Sequence, residues 1–392
     1  MGNDWSCLEP PQAKWAGEIV DSSCVGHIER RQRRNHEGEL GSVRWRARHR
    51  GPDGRERSRT FAKKADTERW LATQGADVAR GAWIDPARAR MSLVEFVPIW
   101  ETTLAHLRPR TRELNVGVAH NYLVPRFGSW RLDQIRPSDV RSMLNDELNE
   151  GRLSISAVRR HVMVLAQILD VAVIDGRLGR NAARGIRLPP EQSRPMRVLD
   201  PAEVSRLASA IDPFYRSLVL AAAYLGLRWG ELTGLSVDHV DIDGCSVRVE
   251  RQLQVINGEF AFTPLKTKAS TRTVSVPLSL MDVFQGHMNT PQVIASELVF
   301  PSANGGPLRN ASFRRIWLQA VHEADLNGLV FHELRHTAAA LAIQQGSHPL
   351  AIKERMGHAS ITTTLDRYGA LLPGLDRDLA AQLDAVFERP IG

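Results

Sequence analysis

The residues best suited to chemistry in this sequence are six polar side chains in four short blocks between residues 220 and 370. They are Arg228, Lys266, His332, Arg335, His358 and Tyr368. Two guanidinium groups can bind the non-bridging oxygens of a phosphodiester through paired hydrogen bonds, and they stay charged at any working pH. A tyrosine hydroxyl can attack phosphorus once a neighbouring group takes its proton. The set therefore favours transfer of a phosphoryl group to tyrosine.

Each block also has a purely structural interpretation when it is considered alone. Arg228 could pair with a glutamate three residues later, His358 could be an ordinary histidine at a helix start, and Tyr368 could be a surface residue. His332 and Arg335 are three residues apart, so on a helix they would share one face. That pairing, and a tyrosine ten residues after His358, favour the catalytic interpretation of the blocks taken together.

Regular elements must hold these blocks in place. An apolar stretch predicts a helix that ends at Gly226, two residues before Arg228. Alternating apolar residues then predict two antiparallel strands joined by an Asn-Gly turn. The predicted ranges are 214–225 for the helix and 247–255 and 260–263 for the strands. Lys266 and Lys268 fall in the turn that follows the second strand.

The four blocks, in this order and spacing, resemble the tyrosine recombinase (phage integrase) family over residues 196–375. The resemblance implies catalytic roles for all six residues, and a positioning role for Glu231, because the family has an acidic residue there that orients the catalytic arginine. The family has one lysine in the strand turn, whereas this chain has Lys266 and Lys268. The spacing Lys-Thr-x-x-Ser-x-Arg favours Lys266.

A mechanism that needs neither ATP nor a metal cofactor is implied by this resemblance. The two arginines and His358 would bind the phosphate, and His332 would accept the proton of Tyr368. Lys266 would protonate the leaving 5′-oxygen. The product is a 3′-phosphotyrosyl link, which conserves the energy of the phosphodiester until a 5′-hydroxyl of the partner duplex attacks it. The sequence contains no Gly-x-x-x-x-Gly-Lys-Ser/Thr loop and no clustered carboxylates typical of a two-metal site.

The net positive charge of the chain is concentrated in its N-terminal part. Residues 26–64 contain 13 Lys/Arg and 5 Asp/Glu, an excess larger than the net charge of +7 for the whole chain. Residues 43–48 alternate apolar and basic side chains, which predicts a strand with an arginine face made by Arg44, Arg46 and Arg48. A second strand, 55–61, again alternates with its arginines outward, and a helix follows over 64–80. A solvated basic hairpin is one interpretation, but a module that docks its arginine face on DNA is favoured.

A helical segment follows the basic module. Its apolar spacing predicts four helices, over 92–107, 109–122, 138–150 and 156–175, with Ser138 as the N-cap of the third. Arg159 and Arg160 stand on the first turn of the fourth helix and are candidate DNA contacts. The alternative is a helical bundle without such a role.

The predicted fold class is mainly α with small β-sheets (α+β), arranged in several domains. The expected boundaries are an unassigned N-terminal extension 1–25, an arm-type DNA-binding domain 26–88, a helical core-binding domain 89–188, a linker 189–195, a catalytic domain 196–375 and a C-terminal helical tail 376–392. The resemblance implies that the tail docks on a neighbouring protomer in a tetramer, and the alternative is that it covers its own core. One hypothesis places the natural start at Val25.

Composition excludes several other classes of protein. No apolar run is long enough to cross a bilayer, and the first twenty residues lack the apolar centre of a signal peptide. The three cysteines, Cys7, Cys24 and Cys245, are scattered and odd in number, which favours a reducing cytoplasm over a disulfide framework. Cys24-x-x-His27 is half of a zinc pattern without a second half nearby, so no metal is expected.

The favoured function is that of an integrase that joins phage or mobile-element DNA to a host chromosome at core and arm-type attachment sites. Its expected partners are double-stranded DNA, three further copies of the chain on that DNA, an excisionase and a host DNA-bending protein. One alternative is a resolvase or relaxing enzyme with the same chemistry, which a separate arm-binding module disfavours. The other is a DNA-binding regulator without catalysis, which the intact set of six residues disfavours.

Overall fold

The structure is a computed structural model that describes residues 19–23, 26–32, 42–52, 54–79, 90–190, 196–265 and 267–368, with residues 380 and 384. The chain divides into two units, Met1–Glu191 and Gln192–Gly392. Helices predominate and the sheets are small and antiparallel, as the sequence predicted. Lys266, most of the predicted linker 189–195 and all but two residues of the tail 376–392 lie outside the described residues. No helix among the described residues is long and apolar enough to cross a membrane.

The first module is a four-stranded antiparallel sheet in chain order with one helix packed on it. Its elements are β1 Ile19–Ser23, β2 Gly26–Arg31, β3 Arg44–Arg50, β4 Glu56–Phe61 and α1 Lys64–Ala79. Strand β1 falls within residues 1–25, which the sequence had left outside the module, so the sheet begins earlier than expected. The ring of Trp70 on α1 lies 6.4 Å from that of His49 and 6.0 Å from that of Phe61.

The two faces of this sheet differ in charge. Ala47 and His49 are buried on the side that α1 covers, so the alternation of a strand places Arg44, Arg46 and Arg48 on the other side. The register of β4 sets Arg57 opposite His49 and Arg59 opposite Ala47. The outward arginines predicted for this second strand were therefore assigned to the wrong face, because β4 supplies serine, threonine and glutamate to the arginine face.

The second module of the first unit is a helical bundle. Its helices are α2 Leu93–Thr102, α3 Pro109–Val118, α4 Val124–Phe127, α5 Pro137–Glu150 and α6 Ile155–Ile174, with a π-helical turn at Ala119–Leu123 between α3 and α4. Trp100, Phe96 and Leu165 are among its fully buried side chains. Helix α5 begins two residues earlier than an N-cap at Ser138 predicts. Its N-cap is Arg136, not Ser138, because Pro137 supplies the fixed φ that the first helical position favours.

The second unit packs helices around a large apolar core that its small sheets border. Its helices are α7 Pro201–Ala210, α8 Arg216–Leu225, α9 Trp229–Thr233, α10 Leu278–Met288, α11 Pro291–Ile294, α12 Asn310–Glu323, α13 Glu333–Gln344, α14 Pro349–Met356 and α15 Ile361–Tyr368. Its strands are β5 Val240–Asp241, β6 Ser246–Val249, β7 Arg251–Ile256, β8 Glu259–Pro264 and β9 Arg272–Ser275. The strand predicted over 247–255 is in fact two strands, since β6 pairs with β5 and β9 whereas β7 pairs with β8.

Gly226 ends α8 in the left-handed conformation, with φ of 67°, and there the chain turns towards Arg228. A Cβ at this position would lie 2.7 Å from Met356 Sδ and 3.1 Å from Ala338 Cβ. Gly346 has a similar φ of 73° with open space around it. Both glycines have a left-handed backbone, but only Gly226 is closely packed. Replacing each by alanine therefore separates the cost of the backbone conformation from the cost of close packing.

Gly346→Ala should lower the local free energy of unfolding by about 1–2 kcal/mol, the cost of a left-handed alanine. Gly226→Ala should lower it by about 2–4 kcal/mol, because overpacking is added to the same backbone cost. Hydrogen exchange measured by mass spectrometry on peptides from α8 and α13 reports these values in the full chain. Equal losses for the two variants would contradict the close packing at Gly226.

Candidate active site

Arg228, Arg335, His358 and Tyr368 come together where α8, α9, α13, α14 and α15 meet. Arg335 on α13 donates to the carbonyl of Gly226 at the end of α8 and to that of Met356 at the end of α14. The rings of His358 and Tyr368 lie nearly parallel, with centroids 6.5 Å apart. Segments that are far apart in the sequence thus meet around one buried guanidinium.

Glu231 is the carboxylate that holds Arg228. It lies one turn into α9, is 1% exposed, and accepts from Arg228 Nη1 at 2.7 Å and from the Arg228 main-chain nitrogen at 3.0 Å. The Arg228 side chain remains 37% exposed beyond this bond. Burial would raise the pKa of the Glu231 carboxyl, but Arg272 and then Arg228 hold that pKa below its ordinary value. The carboxylate is therefore charged at neutral pH and fixes one face of the Arg228 guanidinium.

Arg272 is a residue of this region to which the sequence assigned no role. Its side chain is almost fully buried, and it donates from Nη2 to Glu231 Oε2 at 3.0 Å and from Nε to the Arg355 carbonyl at 2.7 Å. Nη1 donates to the Ser270 carbonyl at 2.9 Å. Gly357 lies against the same guanidinium, since a Cβ there would be 2.9 Å from Nη1. Arg272 thus joins the Arg228 block, the turn before β9 and the segment that carries His358.

The signal that could have identified Arg272 is the final arginine of the Lys-Thr-x-x-Ser-x-Arg spacing. The spacing that favours Lys266 over Lys268 also sets this arginine at the start of β9. Lys266 itself lies outside the described residues, and only the backbone of Lys268 is described. Thr267 Oγ1 and Ser270 Oγ lie 2.9 Å apart, so the described part of the lysine turn is closed by a hydrogen bond and anchored on Arg272.

Arg335 is 2% exposed, and its guanidinium donates hydrogen bonds to two main-chain carbonyls. Burial, followed by repulsion from Arg228, lowers the pKa of its guanidinium to about 9, while Glu231 acts in the opposite direction. It therefore remains protonated at neutral pH. Positive charge collects here in spite of its mutual repulsion, which favours the binding of an anion.

Tyr368 ends α15 and packs inside its own chain. The ring is 1% exposed and lies in an apolar cluster with Ala339, Ile343, Ile352 and Met356. The hydroxyl lies 2.8 Å from Nδ1 of His336, a residue to which the sequence patterns assign no role. The i, i+3 spacing selects His332 and Arg335, but it gives no reason to select His336, which follows Arg335 on the helix.

His332 is exposed at the N-cap of α13, and its ring contacts that of His336 edge-on, with centroids 5.2 Å apart. It lies one helical turn before His336, on the same side of the helix. The structure thus places the histidine that the resemblance favours next to the site, and a second histidine on the tyrosine hydroxyl.

The predicted DNA-binding arginines lie in the first unit. Arg46 donates to Ser58 Oγ at 2.7 Å, and Arg48 pairs with Glu56 at 3.0 Å and Glu29 at 3.4 Å. The guanidinium of Arg159 is turned to the Pro189 carbonyl at 2.7 Å, whereas Arg160 is exposed. Arg44 is exposed at the start of β3.

Comparison with known proteins agrees with these features. Residues 197–373 match the phage integrase family, and residues 38–80 match the N-terminal domain of phage integrases. A putative prophage phiRv2 integrase of Mycobacterium tuberculosis is 29% identical over 364 residues, which are 89% of this chain and 95% of that protein. The ICEBs1 integrase of Bacillus subtilis is 28% identical over 64% of this chain and 73% of its own length.

Solved structures show the same fold at lower identity. The Tn1549 transposon integrase in complex with a circular intermediate DNA has a TM-score of 0.61 and 20% identity, over 71% of this chain and 95% of that one. A lambda integrase tetramer bound to a Holliday junction has a TM-score of 0.55 and 18% identity, over 85% and 94%. Residues 197–373 thus belong to the phage integrase family of tyrosine recombinases, and an N-terminal domain of phage integrases precedes them in the chain.

Proposed function

We propose that this chain is a site-specific recombinase that cuts and rejoins DNA through a 3′-phosphotyrosyl intermediate. It would integrate phage or mobile-element DNA at attachment sites in a bacterial host and, with a partner, excise it. The observation that carries the proposal is that the guanidinium groups of Arg228 and Arg335 and the Tyr368 hydroxyl lie close together, with the buried Glu231 carboxylate bonded to Arg228. Such a set stabilises the charge that builds up on a phosphate under attack.

The roles of the residues follow from their environments. Arg228, held on one face by Glu231 and otherwise accessible, would bind a non-bridging oxygen of the scissile phosphate. Arg335 would add positive charge, and His358 a hydrogen bond, on the same side of the phosphate. Tyr368 would be the nucleophile, and the resemblance assigns the acceptance of its proton to His332, which is exposed at the start of α13.

Lys266 is the candidate acid that protonates the departing 5′-oxygen, with Lys268 as the alternative. A deoxyribose alkoxide is a poor leaving group, so a proton donor on a turn next to the phosphate lowers the barrier. The phosphotyrosyl link keeps the bond energy within the complex, and the reaction therefore requires no nucleotide cofactor.

The first unit would supply the DNA contacts. The arginine face of β3 is proposed to bind arm-type sites, and Arg159 and Arg160 core-type sites, although the bond of Arg159 to Pro189 favours Arg160 as the contact to phosphate. The lambda integrase tetramer on a Holliday junction supports assembly as a tetramer on DNA. An excisionase and a host DNA-bending protein complete the proposed set of partners.

Two other functions share parts of this description. A relaxing enzyme would use the same chemistry on one duplex, but the matched N-terminal domain favours the bridging of two sites. A regulator without catalysis would have no use for Tyr368 beside a histidine and two arginines.

Tyr368→Phe should abolish covalent trapping on a nicked suicide substrate, because the attacking oxygen is removed. Binding to the same DNA should stay within a few-fold of the unchanged chain in a mobility-shift assay. Full trapping by this variant would overturn the proposed function. Tyr122→Phe is the matched control, since Tyr122 lies on the surface of the helical bundle.

Replacing Arg44, Arg46 and Arg48 together by Ala should weaken arm-site binding by about 10–1,000-fold and lower the salt dependence by roughly three counterions. Core-site cleavage should be spared. The control is the double variant Arg57→Ala and Arg59→Ala, which removes charge from the face that α1 covers. Unchanged arm-site affinity at fixed salt, or an equal loss in the control, would contradict the β3 face as the binding surface.

The choice of lysine is tested with a substrate that carries a 5′-thiol leaving group, which needs no proton donor. Lys266→Ala should be slow on the normal substrate by about 10²–10⁴-fold and restored on the thiol substrate. Lys268→Ala should change little on either substrate in single-turnover cleavage. If the thiol substrate restored cleavage in Lys268→Ala and not in Lys266→Ala, the acid would be Lys268.

A further inference from the structure

The hydroxyl of Tyr368 and Nδ1 of His336 are 2.8 Å apart, and the two rings lie at 59° with centroids 5.7 Å apart. We propose that His336 accepts the phenol proton while Tyr368 attacks phosphorus, and returns it when the strands are rejoined. The inference rests on the proposed function, since it presupposes Tyr368 as the nucleophile. It gives a catalytic role to a histidine that lies four residues beyond the one favoured by the sequence.

Burial of the tyrosine is the first argument. The ring of Tyr368 is 1% exposed and packed against Ile352 and Met356, so bulk water has little access to its hydroxyl. A phenol is almost entirely protonated at neutral pH, and it must lose that proton to attack. A proton acceptor inside the protein is therefore required, and it must lie within hydrogen-bond distance of the hydroxyl.

Geometry is the second argument. When the His336 ring carries its proton on Nε2, the lone pair of Nδ1 faces the tyrosine oxygen and the phenol donates to it. His358 meets the same tyrosine differently, ring beside ring at an angle of 11°, which suits packing. His332 touches the edge of the His336 ring and is exposed, so it stands between His336 and the surface.

Charge is the third argument. Arg335, the residue before His336 on α13, interacts electrostatically with Tyr368. A buried guanidinium that stays protonated stabilises the phenolate as the proton leaves. His336 is half-buried, so its imidazolium can form next to the solvent-facing ring of His332 rather than deep in the core.

The proton balance of the step is complete. In cleavage the tyrosine oxygen forms a bond to phosphorus, the bond from phosphorus to the 5′-oxygen breaks, and the phenol proton passes to Nδ1. A separate proton from the lysine acid goes to the 5′-oxygen. In rejoining, a 5′-hydroxyl gives its proton to that lysine and attacks phosphorus, and the departing phenolate recovers its proton from Nδ1 of His336.

The test compares His336→Asn with the unchanged chain in single-turnover covalent trapping on the nicked substrate. The Asn amide oxygen stands near the position of Nδ1 and can accept a hydrogen bond, but it cannot take the proton. Trapping should slow by about 10²–10⁴-fold, the usual share of a general base. DNA binding and the thermal midpoint should be unchanged. His322→Asn, a change at an exposed histidine near the end of α12, is the control and should trap at the normal rate.

A second arm separates proton transfer from placement of the tyrosine. A tetrafluorinated tyrosine at position 368 is acidic enough to be largely ionised at the assay pH, so it needs no proton acceptor. With this nucleophile the cost of His336→Asn should fall to within a few-fold. An undiminished cost would mean that His336 only places the ring, and normal trapping by His336→Asn with ordinary tyrosine would also overturn the inference.

His332→Asn is measured alongside with both nucleophiles. If its cost vanishes with the fluorinated tyrosine while that of His336→Asn persists, the acceptor is His332. Should His336→Asn lose DNA binding, His336→Gln replaces it in the same comparison. Covalent trapping by Tyr368→Phe would instead overturn the proposed function itself, so the two failures are distinguishable.

Discussion

The rest of the candidate active site depends on the two ion pairs of the buried Glu231 carboxylate. It is the anion between two guanidinium groups, Arg228 on the accessible side and Arg272 on the buried side. Removing one partner of a buried ion pair commonly costs about 3–5 kcal/mol, since a charge is left without compensation. Through Arg272 the same carboxylate also reaches the turn before β9 and the end of α14. The positions of the lysine turn and of His358 are therefore not independent of Arg228.

Repulsion among the cations shows how this arrangement favours a phosphate. Arg228 and Arg272 each lower the pKa of Arg335, and one carboxylate compensates only part of their charge. An incoming phosphate group would relieve the remaining repulsion, and the proposed attack on phosphorus would add still more negative charge next to the cations. Because the donors are fixed by Glu231 and by main-chain carbonyls, little reorganisation is needed at that moment.

Much of this could be predicted from the sequence, and the exceptions have physical reasons. The four blocks were found because arginine, histidine and tyrosine at those spacings are distinctive, and the helices because apolar residues repeat along them. Arg272 and His336 were missed because their roles lie in contacts with Glu231 and Tyr368, 41 and 32 residues away. The division of β6 from β7 was invisible since buried Val247, Val249 and Leu253 keep one alternation through both strands. The face of Arg57 and Arg59 depended on the register of β4, which alternation within a single strand does not set.

The way Arg335 is held has a consequence for how this site tolerates change. Its two partners are the carbonyls of Gly226 and Met356, groups that every amino acid presents. The hydrogen bond to residue 356 therefore does not depend on the methionine side chain, which is buried separately against Tyr368. A residue inserted or deleted just before Gly226, or just before Met356, would put another carbonyl in its place, displaced by up to a chain step of about 3.8 Å, and break the bond. The arginine is thus sensitive to the length of its neighbouring segments more than to their composition.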